Sequence, residues 1–331
     1  MALSSPPKSR PQGGGLARFF RFLFLLVFVV GVVAAVWARG VATRAEAVES
    51  VDPSVDRPGD VALIDGATIH FRREGGSGQV LLLVHDYDVF AGAEWLPLAD
   101  AMQTGQLLMP DQVGFGYSTR PTESGLPLTV AGRAETLHLL MQALDLPATV
   151  VIGSGGGVAI ATQLAALHPD DVTGLVLISG SAVRSRPSLI ERAMGWPVVG
   201  EAVAYTFEAG GERSARAFAA GCDDGGWCPT SEQVDERRHV ASVRGTSAGL
   251  ALWASTPPAS TLPSDLDQIA VPTLVLWGED DQTMSFDDAQ EMAASIAGSE
   301  LRVVVGAGHQ PHLEDPAAVA ALITEFLAKL D

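Results

Sequence analysis

From residue 61 onward the chain alternates short β-branched or leucine-rich runs with longer stretches of helical spacing. Eight runs read as strands: Val61–Ile64, Thr68–Arg72, Val80–His85, Gln106–Met109, Ala148–Gly153, Gly174–Ser179, Thr273–Gly278 and Leu301–Val305. Leu81-Leu82-Leu83-Val84 and Val150-Val151-Ile152 carry no polar residue at all. Such runs suit strands covered on both faces, as in a parallel sheet. Between them, Val130, Ala134, Leu137, Met141 and Leu144 recur at helical spacing within Leu128–Leu144. Val158–Leu167 is small and apolar throughout, and Asp315-Pro316 can start a last helix whose apolar face is Val319, Leu322, Ile323, Phe326, Leu327 and Leu330. The expected architecture is α/β: a doubly wound, mostly parallel eight-stranded sheet with right-handed crossovers.

The alternation stops between 183 and 264. That stretch has helical patches, several Pro and Gly, Trp196, Trp227 and Trp253, and no convincing strand. An insertion of this size between two strands reads as a helical cap over the carboxyl edge of the sheet, where α/β folds place their sites. The core is thus expected in two parts, 59–182 and 265–331, around a cap at 183–264.

Before the body, residues 1–15 are rich in Pro, Gly and Ser and read as a disordered tail. A membrane anchor is expected over 16–38, where Phe22 to Ala38 is an uncharged, mostly apolar run bounded by Arg21 and Arg39. As a helix this run spans about 26 Å, near the lower limit for crossing a bilayer. The competing reading is a cleaved signal peptide, with Ala45-Glu46-Ala47 as the small-x-small site; the apolar run is longer than a signal peptide's usual core. Four basic residues precede the span and two follow it, which favours a cytoplasmic amino terminus and a body outside the cytoplasm. Residues 39–58 read as a polar linker.

The net charge is −18, and residues 1–44 hold six of the 21 basic residues and no acidic one. The remaining 15 basic and 39 acidic residues would repel a phosphate backbone, so nucleic-acid binding is not expected. The two cysteines, Cys222 and Cys228, lack the spacing of a zinc site; a local disulfide and two free thiols both stay open. No metal or organic cofactor is suggested.

Four patterns carry the chemistry. Leu83-Val84-His85-Asp86-Tyr87, closed by Trp95, ends the third strand; Pro110-Asp111-Gln112-Val113-Gly114-Phe115-Gly116-Tyr117-Ser118 follows the fourth. Gly153-Ser154-Gly155-Gly156-Gly157 joins a strand to a helix. Trp277-Gly278-Glu279-Asp280-Asp281 and Gly306-Ala307-Gly308-His309 follow the last two strands.

Together these resemble the lid-bearing α/β hydrolases, over roughly residues 60–331. The resemblance implies a nucleophile elbow at Gly153–Gly157. Anchoring on Gly153 puts Gly155, without a side chain, at the nucleophile position. Ser154 comes one residue early and is kept as a candidate offset nucleophile, although neighbours in extended chain point to opposite sides. The resemblance further implies His309 as general base, oriented by Asp281, and an oxyanion hole from the backbone N–H groups of Tyr87 and Gly156. Asp86 replaces the family's glycine there, and a carboxylate near the hole would oppose developing negative charge. His85 reads as a structural turn residue, the Asp111–Ser118 loop as mainly structural, and Asp280 and His312 as solvated or structural.

Three functions follow from a vacant elbow: an unconventional hydrolase of a small lipophilic ester-like substrate, in which the dyad activates water; a non-catalytic protein binding a small apolar ligand under the cap; and cofactor-free lyase or proton-abstraction chemistry.

Overall fold

The computed structural model describes residues 14–55, 57–120, 128–181, 188–220, 227–256 and 266–330, with side chains described from Phe19 onward. The expected tail, 1–15, lies outside them except for its last two residues.

Helix α1, Gly14–Val48, is 35 residues long. Its Phe19–Val48 part is the one helix among the described residues long and apolar enough to cross a membrane. The helix runs on through the first part of the expected linker, 39–58. The reason is packing: Ala38 and Ala45 are buried, and α1 lies against a helix inserted between the sixth and seventh strands. The small-x-small triplet Ala45-Glu46-Ala47 therefore sits inside a helix. Just beyond it, buried Glu49 accepts the backbone N–H groups of Gly245 and Ser247, both at 2.9 Å. Val51 pairs with Val243 in a single bridge.

All eight expected strands form, shifted at most by a residue or two at most ends: β1 Asp60–Ile64, β2 Ala67–Gly75, β3 Val80–Val84, β4 Gln106–Pro110, β5 Thr149–Ser154, β6 Val172–Ile178, β7 Thr273–Gly278 and β8 Glu300–Val304. They make one sheet in the order β1-β2-β4-β3-β5-β6-β7-β8. β2 is antiparallel to both its neighbours, and every other pairing is parallel. β3, β5 and β7 are buried along their whole length, which is why they could dispense with alternation.

Helices cover both faces. α2 is Leu96–Ala101, α3 Val130–Ala143 and α4 Gly157–Leu167. Thr129 caps α3 by accepting the Gly132 N–H at 3.1 Å. Between β6 and β7 come α5 Leu189–Met194, α6 Gly200–Phe207, α7 Gly211–Ala220, α8 Ser231–Ala241 and α9 Thr246–Ser255. Then follow α10 Phe286–Ser295, α11 Pro311–Glu314 and α12 Pro316–Leu327, the last capped by Asp315 as its sequence predicts. One core cluster packs α3, α4 and α10 on the sheet, and a second packs α2 and α12 on the other face. A third, around Phe90, Phe115, Leu250 and Trp253, joins the inserted helices to the strand ends. α6 is the helix on which α1 rests, and Glu49 accepts N–H groups at the start of α9. Cys228 is disulfide-bonded; the second cysteine, Cys222, lies outside the described residues.

Candidate active site

β5 ends at Ser154 and α4 begins at Gly157, so the chain turns sharply from strand to helix within two residues. Gly155 makes that turn with φ +50°, in the left-handed region that glycine tolerates without strain. Ser154 is the last residue of the strand and is buried. Its hydroxyl donates to Glu94, itself fully buried on the short turn before α2. Glu94 Oε1 also accepts the Asp86 N–H at 3.2 Å and lies 3.5 Å from Nε2 of buried His312. Ser154 thus belongs to an internal polar cluster.

The space beside Gly155 is filled from another loop. Asp86, two residues past β3, folds its side chain back so that Oδ1 accepts the N–H of Tyr87 at 2.7 Å and of Gly156 at 2.6 Å. A Cβ built on Gly155 would coincide with the Asp86 carboxylate. The two N–H groups expected to bind an oxyanion therefore already hold one, supplied by the chain. Asp86, read from the sequence as a charge near the hole, accepts both of the N–H groups expected to line it. Oδ2 accepts no hydrogen bond among the described residues.

His309 comes from the loop after β8 and Asp281 from the loop after β7. His309 Nδ1 lies 3.0 Å from Asp281 Oδ2. Asp281 Oδ1 accepts the N–H groups of Thr283 at 2.8 Å and Met284 at 3.0 Å, which fixes the carboxylate. Burial works against its charge, yet the bond to His309 and these two N–H groups hold its pKa below the usual carboxylate range. Burial likewise works against a charged His309, but the bond to Asp281 and the charges of Asp86, Asp281 and Glu314 push its pKa above the ordinary histidine value. For Asp86, burial and the nearby charge of Glu94 outweigh His309 and the two N–H groups, and its pKa is raised. Glu314 ties down the histidine loop by accepting the N–H groups of Gly308 and Gln310.

Asp86 and His309 open onto one cleft of about 520 Å³, roofed by Glu191, Met194, Glu208, Leu250 and Trp253 of the inserted helices and their ends. Its lining includes five carboxylates: Asp86, Asp88, Glu191, Glu208 and Glu314. The wall is therefore mixed, because Val89, Met194, Leu250 and Trp253 form only part of it. Asp88 is neutralised by Arg237, whose Nη1 and Nη2 lie 2.6 and 3.0 Å from its two oxygens. Glu208 has no such cation at bonding distance among the described residues; burial and the charge of Asp88 raise its pKa.

The remaining expected residues are placed as follows. His85 is fully buried, and its Nε2 accepts the Gln112 N–H at 2.9 Å, a turn-holding role. Asp111 accepts the N–H groups of Gly92 at 2.9 Å and Tyr117 at 2.7 Å and binds His70 at 2.7 Å, which knits its loop together. Asp280 is exposed; His312 is buried against Trp95. Away from the cleft, Glu135, His138 and His168 are close enough to share a metal. However, the two imidazoles stack at 3.7 Å with 8° between ring planes, so their lone pairs run side by side rather than converge.

The fold matches known proteins. A family model described as alpha/beta hydrolase fold matches residues 83–316. The chain belongs to the α/β-hydrolase fold family. A 2-hydroxymuconate semialdehyde hydrolase of Pseudomonas sp. strain CF600 is 27% identical over 271 residues, 78% of this chain and 90% of that protein. The crystal structure of a meta-cleavage product hydrolase from Pseudomonas fluorescens IP01 superposes with a TM-score of 0.66 at 20% identity, covering 82% of this chain and 98% of that one. That of a bacterial membrane phospholipase A has a TM-score of 0.64 at 22% identity and covers 95% of this chain and 99% of that one.

Within this α/β-hydrolase the sequence reading missed Glu94 and Glu314. Glu94 could have been noticed as the lone charge in the apolar stretch Val89–Leu98, a sign of a buried partner. Glu314 follows the histidine loop by five residues and carries no signal of its own.

Proposed function

We propose that this α/β-hydrolase is a membrane-anchored hydrolase of a small uncharged substrate, with His309 as general base and Asp281 as the group that orients it. The observation that carries the reading is the His309–Asp281 bond, 3.0 Å long, with the imidazole bordering the cleft beneath the inserted helices. An imidazole fixed through Nδ1 can take a proton from water at Nε2, and the buried carboxylate stabilises the imidazolium that results. The relative of 27% identity is a hydrolase, which supports the same reaction type. Substrate charge follows from the lining: Asp86 and Glu314 oppose an anion, while Val89, Met194, Leu250 and Trp253 offer apolar contact. A small lipophilic, neutral molecule suits both.

Anchoring rests on the apolar helix α1, and the folded body is assigned to the far side of the membrane from the charges flanking it. The disulfide at Cys228 supports an oxidising compartment.

A second reading, a non-catalytic ligand-binding protein, is favoured by one observation: Asp86 already fills the hole in which a substrate oxyanion would sit. Turnover separates the two. The purified full chain, in detergent, is assayed against small neutral esters and cyclic ethers beside His309→Ala. A hydrolase converts at least one compound and loses that activity in the variant; conversion of none, with saturable binding of a hydrophobic probe, establishes the binding reading instead.

A further inference from the structure

The hole and the space of the missing side chain are taken by the same group, and that group is itself a nucleophile. We propose that Asp86, delivered from the loop after β3, attacks the substrate in place of an elbow side chain and forms a covalent ester on its own carboxylate. This rests on the hydrolase reading above and names its nucleophile and substrate class.

The geometry separates the two carboxylate oxygens by task. Oδ1 is held by the N–H groups of Tyr87 and Gly156 at 2.7 and 2.6 Å, so it is fixed and polarised. Oδ2 accepts no hydrogen bond among the described residues, and Asp86 borders the cleft opposite the inserted helices. A carboxylate held this way presents one oxygen for attack. Gly155 is required for the arrangement, because any Cβ there would displace the carboxylate.

The occupied hole also selects the electrophile. A substrate carbonyl would find both N–H donors in use, so its oxyanion would go unstabilised. Attack at a saturated carbon needs no such hole. The leaving atom is constrained too: a free anion would depart into a cleft whose lining includes Asp88 and Glu314. A strained cyclic ether, an epoxide, avoids that, because its oxygen stays on the molecule and is protonated.

The steps balance. Asp86 Oδ2 bonds to the ring carbon, the ring C–O bond breaks, and its electron pair goes to oxygen, which takes a proton from the carboxyl of Glu208. Burial and the charge of Asp88 outweigh that of Arg237 and raise the pKa of that carboxyl. Water then attacks Asp86 Cγ while His309 takes its proton. The negative oxygen of the tetrahedral intermediate is Oδ1, already bonded to Tyr87 and Gly156. Collapse breaks the Cγ–Oδ2 bond, and the departing alkoxide takes the proton from His309. The new carboxyl proton of Asp86 passes through solvent to Glu208. The product is a diol carrying one oxygen that began on Asp86.

Oxygen tracing tests this. The full chain, in molar excess over styrene oxide, is allowed one turnover in H₂¹⁸O. The expected result is a first-turnover diol without label and a gain of 2 Da in the peptide containing Asp86. His309→Gln is expected to accumulate the substrate as a mass adduct on that peptide, and Asp86→Asn to form no adduct. Label in the first diol with an unlabelled peptide overturns the proposal while leaving His309 as general base on water intact. Esters hydrolysed without any conversion of the epoxide also overturn it. Inertness toward both compound classes would remove the hydrolase reading as well.

Discussion

Asp86 and His309 border the same cleft, and each shifts the protonation of the other. The Asp86 charge favours imidazolium, and the imidazolium favours the Asp86 carboxylate. His309 must be neutral to accept a proton, so base-dependent turnover rises with pH through a midpoint above the ordinary histidine value. Asp86→Asn removes one of the charges that raise this pKa. The expected outcome is a lower His309 midpoint in Asp86→Asn, read by NMR titration of the imidazole. An unchanged midpoint would mean that the two groups do not sense each other.

The role of Gly155 at the turn after β5 can be tested by replacing it. Gly155→Ser alone places a Cβ on the Asp86 carboxylate and a non-glycine residue at φ +50°, so the single variant is expected to be less stable and without esterase activity. Asp86→Gly clears both the space and the two N–H donors. The double variant Asp86→Gly/Gly155→Ser should hydrolyse p-nitrophenyl acetate at least roughly tenfold faster than either single variant, about 1.4 kcal/mol of barrier. It should also gain fluorophosphonate labelling at residue 155. Rates no better than the single variants would show that His309 does not face the turn.

Much of this was legible in the residues themselves. The strands could be read because Leu81–Val84 and Val150–Ile152 have no alternative to burial, the acid loop because it directly follows the buried strand β7, and the histidine loop because it follows the last strand, β8. The continuation of α1 to Val48 was not legible, since it depends on Ala38 and Ala45 packing where α1 meets α6. Nor was the fold-back of Asp86. That contact joins residues 70 apart, Asp86 and Gly156, and it exists only because Gly155 leaves room. The charge of the cleft depends on how α5 and α6 are laid over the sheet, which periodicity cannot give.

Glu49 links the end of α1 to the inserted helices. Its two oxygens accept N–H groups from Gly245 and Ser247 at the start of α9. Glu49→Ala leaves both donors without that acceptor, and Ser247 is fully buried. The expected cost is about 1–3 kcal/mol of stability, measured by chemical denaturation of the full chain in detergent. Limited proteolysis should cut first near α9, whereas cutting confined to the sheet would argue against this link.

The account depends on which side chain does the work at the elbow, and paired kinetics of two variants test that most directly. Ser154→Ala removes a hydroxyl committed to Glu94, and Asp86→Asn removes the carboxylate lying over Gly155. With any substrate that the wild type converts, Ser154→Ala should keep kcat within about threefold, and Asp86→Asn should lose roughly a thousandfold or more. The reverse pattern, with a fluorophosphonate label on Ser154 of the wild type, would contradict the account.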